Sequence, residues 1–549
     1  MTHTRAPWPR RQLLTLGLLT SWFCGLDAHV EAHAAPPASA AQAPSSRPSS
    51  EAEIFARVEQ SLTQLDVEGA RRTADLLPSG PVRGLALGLI AHASGDYDTA
   101  EQKLSATLEA PSIEAGLATR TRRALELVEG TKRALKGNAP VRSEDGRFSV
   151  IFADQRDEVI APYLFTALDA GLSGLSAALD VRPSLPVRFE MYDAPESLSL
   201  ATPLSLKAVY TTGTVGLCKY DKVMQLSPRT MLYGYRWADT VIHELTHLLV
   251  TLRSADRAPV WLQEGLAKLY ETRWRRDAPP PLPAARMKLL RTAIEEDALI
   301  TLEQMHPSIA LLPSQQDAAL AYAEVQTMLE MVWRKEGDAA IRALIDEVAA
   351  GTPAKAALAA AWGGTFDAFM EAWKDDVLRD KRGRGDAPFV ARQFDGSGDG
   401  EPPAPDADVF SHLTGGRSRQ FARVGLLLAL QGHTRAAAIE FEKARAESTE
   451  IRDDPTLARE LGRLYTELGE PERALPLLEI ASAADPQRAS LAADHGRALR
   501  LAGQLERARE RLMDAVWMNP FIPSIHCDLA ELAEDDVTRQ RERRQCQTP

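Results

Sequence analysis

The chain is poor in cysteine, with 4 in 549 residues, and no two of them stand in a CxxC spacing. That excludes thiolate zinc ribbons and thioredoxin-like redox chemistry. Aromatic residues make up only 6%, while alanine and leucine abound, which favours packed helices over an all-β architecture. Positive charge is in deficit. Lys and Arg number 64 against 76 Asp and Glu, giving −12, a field that repels nucleic acid, so no nucleic-acid partner is expected. Past Leu26 no apolar run approaches the roughly 20 residues that span a bilayer, so no transmembrane segment is expected in the mature chain.

The first residues read as an address. Arg5, Arg10 and Arg11 precede an apolar run from Leu13 to Leu26, and Ala32-His33-Ala34 offers a small-residue cleavage pattern. Residues 1–34 are therefore read as an export signal, of the general or the twin-arginine kind, and the protein as periplasmic or secreted. Residues 35–50 are rich in Ala, Pro and Ser and form a flexible linker; a second linker, 381–408, runs through Gly396–Gly400 and Pro402-Pro403. Cys527 and Cys546 could pair in an oxidising compartment, and Cys218 reads as a small apolar residue rather than a nucleophile.

Residues 409–549 repeat internally. Gly462, Gly469, Ala474 and Pro486 recur as Gly496, Gly503, Ala508 and Pro520, each 34 residues on, and Gly425, Gly432 and Ala437 start the same pattern earlier, with three extra residues between. A period of 34 with a small residue in one helix, a turn glycine and an alanine opening the next resembles the tetratricopeptide repeat. A helix around Arg539–Arg544 should cap the array. Within 51–140, Gly88, Gly95 and Ala100 reproduce the offsets, so one repeat-like hairpin with flanking helices is expected there. Such arrays hold protein segments, so protein partners are expected at both ends.

The middle, 146–380, differs. Arg147–Phe152 and Val187–Tyr192 alternate and are rich in β-branched and aromatic residues, as strands are, with a helical pattern from Glu158 to Leu179 between them. Val215–Cys218 and Val223–Leu226 suggest a hairpin, the second of these an edge onto which an extended peptide could add. From Asp239 onward the pattern is helical. The fold class expected is mainly α: an α+β domain flanked by helical repeats.

This region contains His243-Glu244-Leu245-Thr246-His247, an HExxH motif. Histidines at i and i+4 share one helix face and can reach one ion, and Glu244 stands where it can take a proton from water. Val241, Ile242, Leu245, Leu248 and Leu249 make the same helix strongly apolar. Burying two imidazoles and a carboxylate there is costly without a partner such as a metal. Further on, Pro259 opens a second helix carrying Glu264, with Gly265 beside it permitting close approach. Two histidines and one glutamate leave a position open for water, the ligand set of a catalytic zinc. One Zn²⁺ per chain is expected, held by His243, His247 and Glu264.

These residues, with the block Trp261-Leu262-x-Glu264-Gly265-Leu266-Ala267, resemble the gluzincin zinc metallopeptidases, in particular the peptidase MA-like domains found beside tetratricopeptide repeats in exported bacterial proteins. The resemblance covers roughly 146–380 and is densest over 238–272. It implies zinc on His243, His247 and Glu264, Glu244 as general base, and Tyr322 on a later helix steadying the oxyanion. Two departures matter. Lys268 stands where some gluzincins carry an acidic residue that orients a histidine, leaving Glu271 or Asp239 for that task. The Gly-x-Met-Glu-Asn element of related aminopeptidases is missing, which favours an endopeptidase acting on a peptide or protein substrate. His306 reads as an ordinary helix-end histidine, and the cluster Arg273, Arg275, Arg276, Arg286 and Lys288 as a solvated rim. The competing expectation is an envelope scaffold whose repeats recruit partners around an inert peptidase-like domain.

Overall fold

The computed structural model describes residues 50–111, 113–381, 394, 409–413, 416–447 and 449–547. The expected export signal, nearly all of the 35–50 linker and most of the 381–408 linker lie outside the described residues. The described residues open with five helices: α1 (Glu51–Thr63), α2 (Val67–Ala74), α3 (Pro81–Ala93), α4 (Tyr97–Leu108) and α5 (Ala115–Leu135). There follow β1 (Val141–Arg142), β2 (Phe148–Phe152), α6 (Ala161–Leu179), β3 (Val187–Tyr192), α7 (Pro195–Ala201), α8 (Leu206–Thr212), β4 (Gly216–Lys219) and β5 (Lys222–Leu226). Helices α9 (Trp237–Ser254), α10 (Val260–Tyr270), α11 (Ala284–Glu295), α12 (Gln315–Glu336), α13 (Asp338–Ala349), α14 (Ala354–Trp362) and α15 (Phe366–Arg379) come next. The last group is α16 (Gly416–Leu430), α17 (Thr434–Ala446), α18 (Thr449–Arg452), α19 (Pro455–Glu467), α20 (Pro471–Ala484), α21 (Ala489–Leu501), α22 (Leu505–Val516), α23 (Pro523–Leu532) and α24 (Asp536–Cys546). The fold is mainly α with one small mixed sheet.

The sheet runs β1-β2-β3-β5-β4. Strands β2, β3 and β5 are parallel, while β1 and β4 lie antiparallel at the two edges. Tyr220 and Asp221, both at positive φ (57° and 53°), make the two-residue turn between β4 and β5, whose twist matches that of the strands. The expected peptide-accepting edge, Val223–Leu226, is therefore interior, paired on both sides. On this side the edge strand is β4. Sequence pattern alone missed this because a hairpin does not say which of its strands meets the rest of the sheet.

Helix α6 also departs from expectation. The stretch Gln155–Leu179 is long and apolar enough, by composition, to cross a membrane. Its apolar side is spent on packing: Leu164, Leu168, Gly171, Leu172 and Leu175 are buried, and Gly171 lies so close to α9 that a Cβ there would stand 2.3 Å from Ile242 Cδ1.

The repeat glycines do two jobs at constant spacing. Gly88, Gly425, Gly462 and Gly496 each face a side chain sixteen residues later (Leu104, Phe441, Leu478 and Leu512), with no room for a Cβ between the paired helices. Gly95, Gly432, Gly469 and Gly503 all end a helix at φ between 71° and 78°, where other residues are strained. Ala100, Ala437, Ala474 and Ala508 are fully buried at the crossings. The residues inserted after the first C-terminal hairpin form the short helix α18. Cys527 and Cys546 are joined as a disulfide across α23 and α24, and Cys218 is a free thiol.

The described residues belong to one compact unit, and helix α9 is held at both ends. At its start, Arg236 pairs with Asp514 at 2.8 Å, Trp237 donates its indole N–H to Val516 O, and Trp517 packs against Trp237, Trp274 and Tyr163. Beyond its end, Gln64 at the C-terminus of α1 donates to Ala255 O. Both flanking helical groups thus contact the helix that carries the motif.

Candidate metal centre

Helix α9 is buried on nearly every side, and His243 and Glu244 are buried with it. Its two histidines stand one turn apart, ring centroids 4.9 Å from each other. Helix α10 crosses it after a tight left-handed turn at Ala255 and Asp256. Gly265 lets α10 press against α12: a Cβ there would lie 2.8 Å from Leu329 Cδ1 and 3.0 Å from Val325 O. That seat points Glu264 at the histidine pair.

Glu264 Oε2 lies 3.3 Å from His243 Nε2 and 3.6 Å from His247 Nε2. One ligand atom from each of the three residues falls within 4.8 Å of the others. A tetrahedral ion bonded at about 2.0–2.1 Å holds its ligand atoms about 3.3–3.4 Å apart, and both contacts of Glu264 lie near that spacing. The remaining ring nitrogens are engaged elsewhere. His247 Nδ1 meets Gln263 Oε1 at 3.3 Å, and Gln263 donates on to Thr251 Oγ1 at 3.2 Å. His243 Nδ1 faces Glu271 Oε2 at 3.6 Å. Both contacts leave Nε2 turned toward Glu264.

Of the two acidic residues considered for orienting a histidine, Glu271 is the one in place. Lys268 donates to Glu271 rather than replacing it. Asp239 is taken up by Trp274 and Arg275. Gln263 was not foreseen; its position directly before Glu264 was the available signal, since i−1 on a helix crossing α9 faces the neighbouring turn.

The electrostatics suit a cation. Burial opposes charge on His243, yet Glu264 and Glu271 outweigh it and push its pKa up to about 9. Burial would raise Glu264, but His247 and His243 hold it far below the usual carboxylate range. Glu271 is likewise partly buried and still held down, to about 2, by Lys268 and His243. Glu244 goes the other way: burial raises it, with the two histidines pulling against that shift. A carboxyl with a raised pKa is suited to accept a proton and return it.

Glu244 sits beside the sheet edge, close to the backbone of Gly216 and Cys218. Tyr322, on α12, turns its ring edgewise to His243 with centroids 6.2 Å apart. His306 is exposed in a turn, away from the converging group and not at a helix end. The basic cluster is not simply a solvated rim, because Arg273 is tied to Asp338 and Arg275 to Asp239.

Residues 166–379 match the model of the Peptidase MA superfamily. No curated protein matches the chain. Similar solved structures include MamA MSR-1 C2, with 19% identity, 24% of this chain and 72% of that chain covered and a TM-score of 0.21. Another is the APC/C hetero-tetramer Cut9–Hcn1, with 13% identity, 90% and 93% covered and a TM-score of 0.23. Likenesses this low carry no argument about fold or activity.

Proposed function

From a Peptidase MA superfamily domain over residues 166–379, we propose that the protein is an exported zinc-dependent peptide hydrolase, acting as an endopeptidase. The observation that carries this is the convergence of His243, His247 and Glu264, with Glu264 Oε2 3.3 Å from one imidazole Nε2 and 3.6 Å from the other. Those three residues would hold the zinc, which supplies carbonyl polarisation and an acidified water. Glu244 would accept a proton from the attacking water and pass it to the leaving amine, a task its raised pKa suits. Gln263 and Glu271 would keep the imidazoles turned so that each Nε2 faces Glu264. Tyr322, edgewise to His243, is assigned to the oxyanion.

An extended substrate would add to β4. Val215 O accepts from Leu226 N, so in an antiparallel ladder the backbone groups of Gly216 and Cys218 point away from β5. Export is supported by the Cys527–Cys546 disulfide, a bond that persists in oxidising compartments, together with the charged and apolar pattern of residues 1–34. The helical hairpins on either side would serve protein partners. Purified Glu244→Gln tests the reading. It should keep its zinc and lose hydrolysis of a broad peptide library; equal hydrolysis by wild type and variant would end the assignment.

A further inference from the structure

An edge strand normally offers its outward N–H groups to solvent or to an arriving strand. In β4 the Glu244 carboxylate lies on that side of the strand, close to the backbone at Cys218. Two residues earlier on the same strand stands Gly216, which pairs with Gln225 in ordinary antiparallel register. Its backbone does not lie in the left-handed region, so no φ requirement calls for glycine there. The requirement is steric. A Cβ on Gly216 would lie 2.6 Å from Glu244 Oε1 and 3.1 Å from both Cδ and Cγ of the same side chain. Real Cβ atoms do not approach so closely. Glu244 is itself buried at 5% exposure, so its carboxylate cannot swing freely into water to make room.

We propose that Gly216 is a positioning residue for Glu244: the missing side chain lets the carboxylate lie against the edge strand. This rests on the hydrolase reading above and deepens it. The strand expected to receive the substrate backbone also fixes the proton acceptor, so the bond to be cut and the group that assists are set by one element. Even a methyl group at position 216 should move the Glu244 carboxylate off the strand without disturbing the three proposed metal ligands, none of which touches Gly216 in the distances above. A displacement of about 1 Å in such a group costs on the order of a hundredfold in rate.

The test uses full-length Gly216→Ala, with Glu244→Ala and the double variant beside it. Hydrogen–deuterium exchange of Gly216–Lys219 reads the contact without any need for turnover. The Cys218 amide should be protected in wild type and should exchange at least about tenfold faster in both single variants alike. In the hydrolysis assay Gly216→Ala should keep one zinc per chain and a KM within about twofold, while kcat falls about 10- to 100-fold. Wild-type protection at Cys218 in Gly216→Ala, or a kcat within twofold of wild type, overturns the proposal. A failure to fold confined to the single Gly216→Ala variant supports it, because the double variant has lost the clashing carboxylate; a failure shared by the double variant overturns it. Should wild type turn over no peptide at all, the hydrolase reading fails, and the exchange result alone decides whether Gly216 and Glu244 are coupled.

Discussion

Replacing Glu190 by glutamine should open the sheet. Lys222, on β5, is wholly buried, and its ammonium lies 2.7 Å from Glu190 Oε2 and 2.7 Å from the Tyr97 hydroxyl. Glu190 in turn accepts from Tyr192 at 2.5 Å and from Tyr97. The ion-pair side chains are 1% and 4% exposed, so solvent does little to screen them. Glutamine keeps the shape but removes the charge, and its amide N–H₂ must face one of the donors. Breaking a buried pair this way costs about 3–5 kcal/mol, because the surviving charge is stranded. Removing both charges, as in Glu190→Leu with Lys222→Met, should cost far less. Unfolding of a chain this long is not safely two-state, so the better assay is amide exchange of β3 and β5, which reports local opening. The predicted loss corresponds to exchange about 10²- to 10⁴-fold faster in Glu190→Gln. Acceleration below tenfold, or a double variant as damaged as the single one, would refute the reasoning. Tyr97 belongs to α4, so the same experiment asks whether the N-terminal helices brace the sheet that ends in β4.

Three further outcomes are expected. Glu271→Gln should weaken zinc binding about 10- to 100-fold in chelator competition, with Asp239→Asn within about twofold of wild type; the reverse ranking would reassign the orienting role. Glu324, buried on α12 and accepting from the Ile300 N–H, has its pKa pushed up to about 8 by burial. Its folded value lies above the unfolded one, so the stability it brings is full below about pH 4.3 and is lost as pH rises to 8. Glu324→Gln does not titrate; it should match wild type near pH 4.3 and exceed it at pH 8 by at most about 5 kcal/mol, and an identical pH slope in the two proteins would contradict this. Replacing Cys527 and Cys546 by serine should cost about 3 kcal/mol, the chain-entropy value for a loop of this separation, 19 residues; unchanged exchange protection in α24 would show that the bond adds nothing.

Local chemistry made the site legible. HExxH needs only the helical repeat to bring His243 and His247 together, and the Pro259 start and Gly265 notch announced a second helix able to approach. The repeat glycines were legible for the same reason, since each answers a contact sixteen residues away or a positive φ within its own hairpin. What stayed hidden depends on elements distant in sequence. Glu271 and Asp239 were equivalent until α10 was laid across α9, and the edge role of β4 required knowing that β5 pairs with β3. Lys222 and Glu190 looked like ordinary strand charges, and nothing local announced that Tyr97 would reach them. Trp517 likewise gave no local sign that it would pack between Trp237, Trp274 and Tyr163. The apolar length of α6 was underrated because its neighbours, not its own composition, decide what it is buried against.

The central claim is best tested by metal analysis of the freshly purified full chain after dialysis against metal-free buffer, beside Glu264→Ala. The account predicts one zinc per wild-type chain and its loss from the variant, because the carboxylate completes a three-ligand set. A wild type without zinc, or a variant that keeps its full complement, would contradict it.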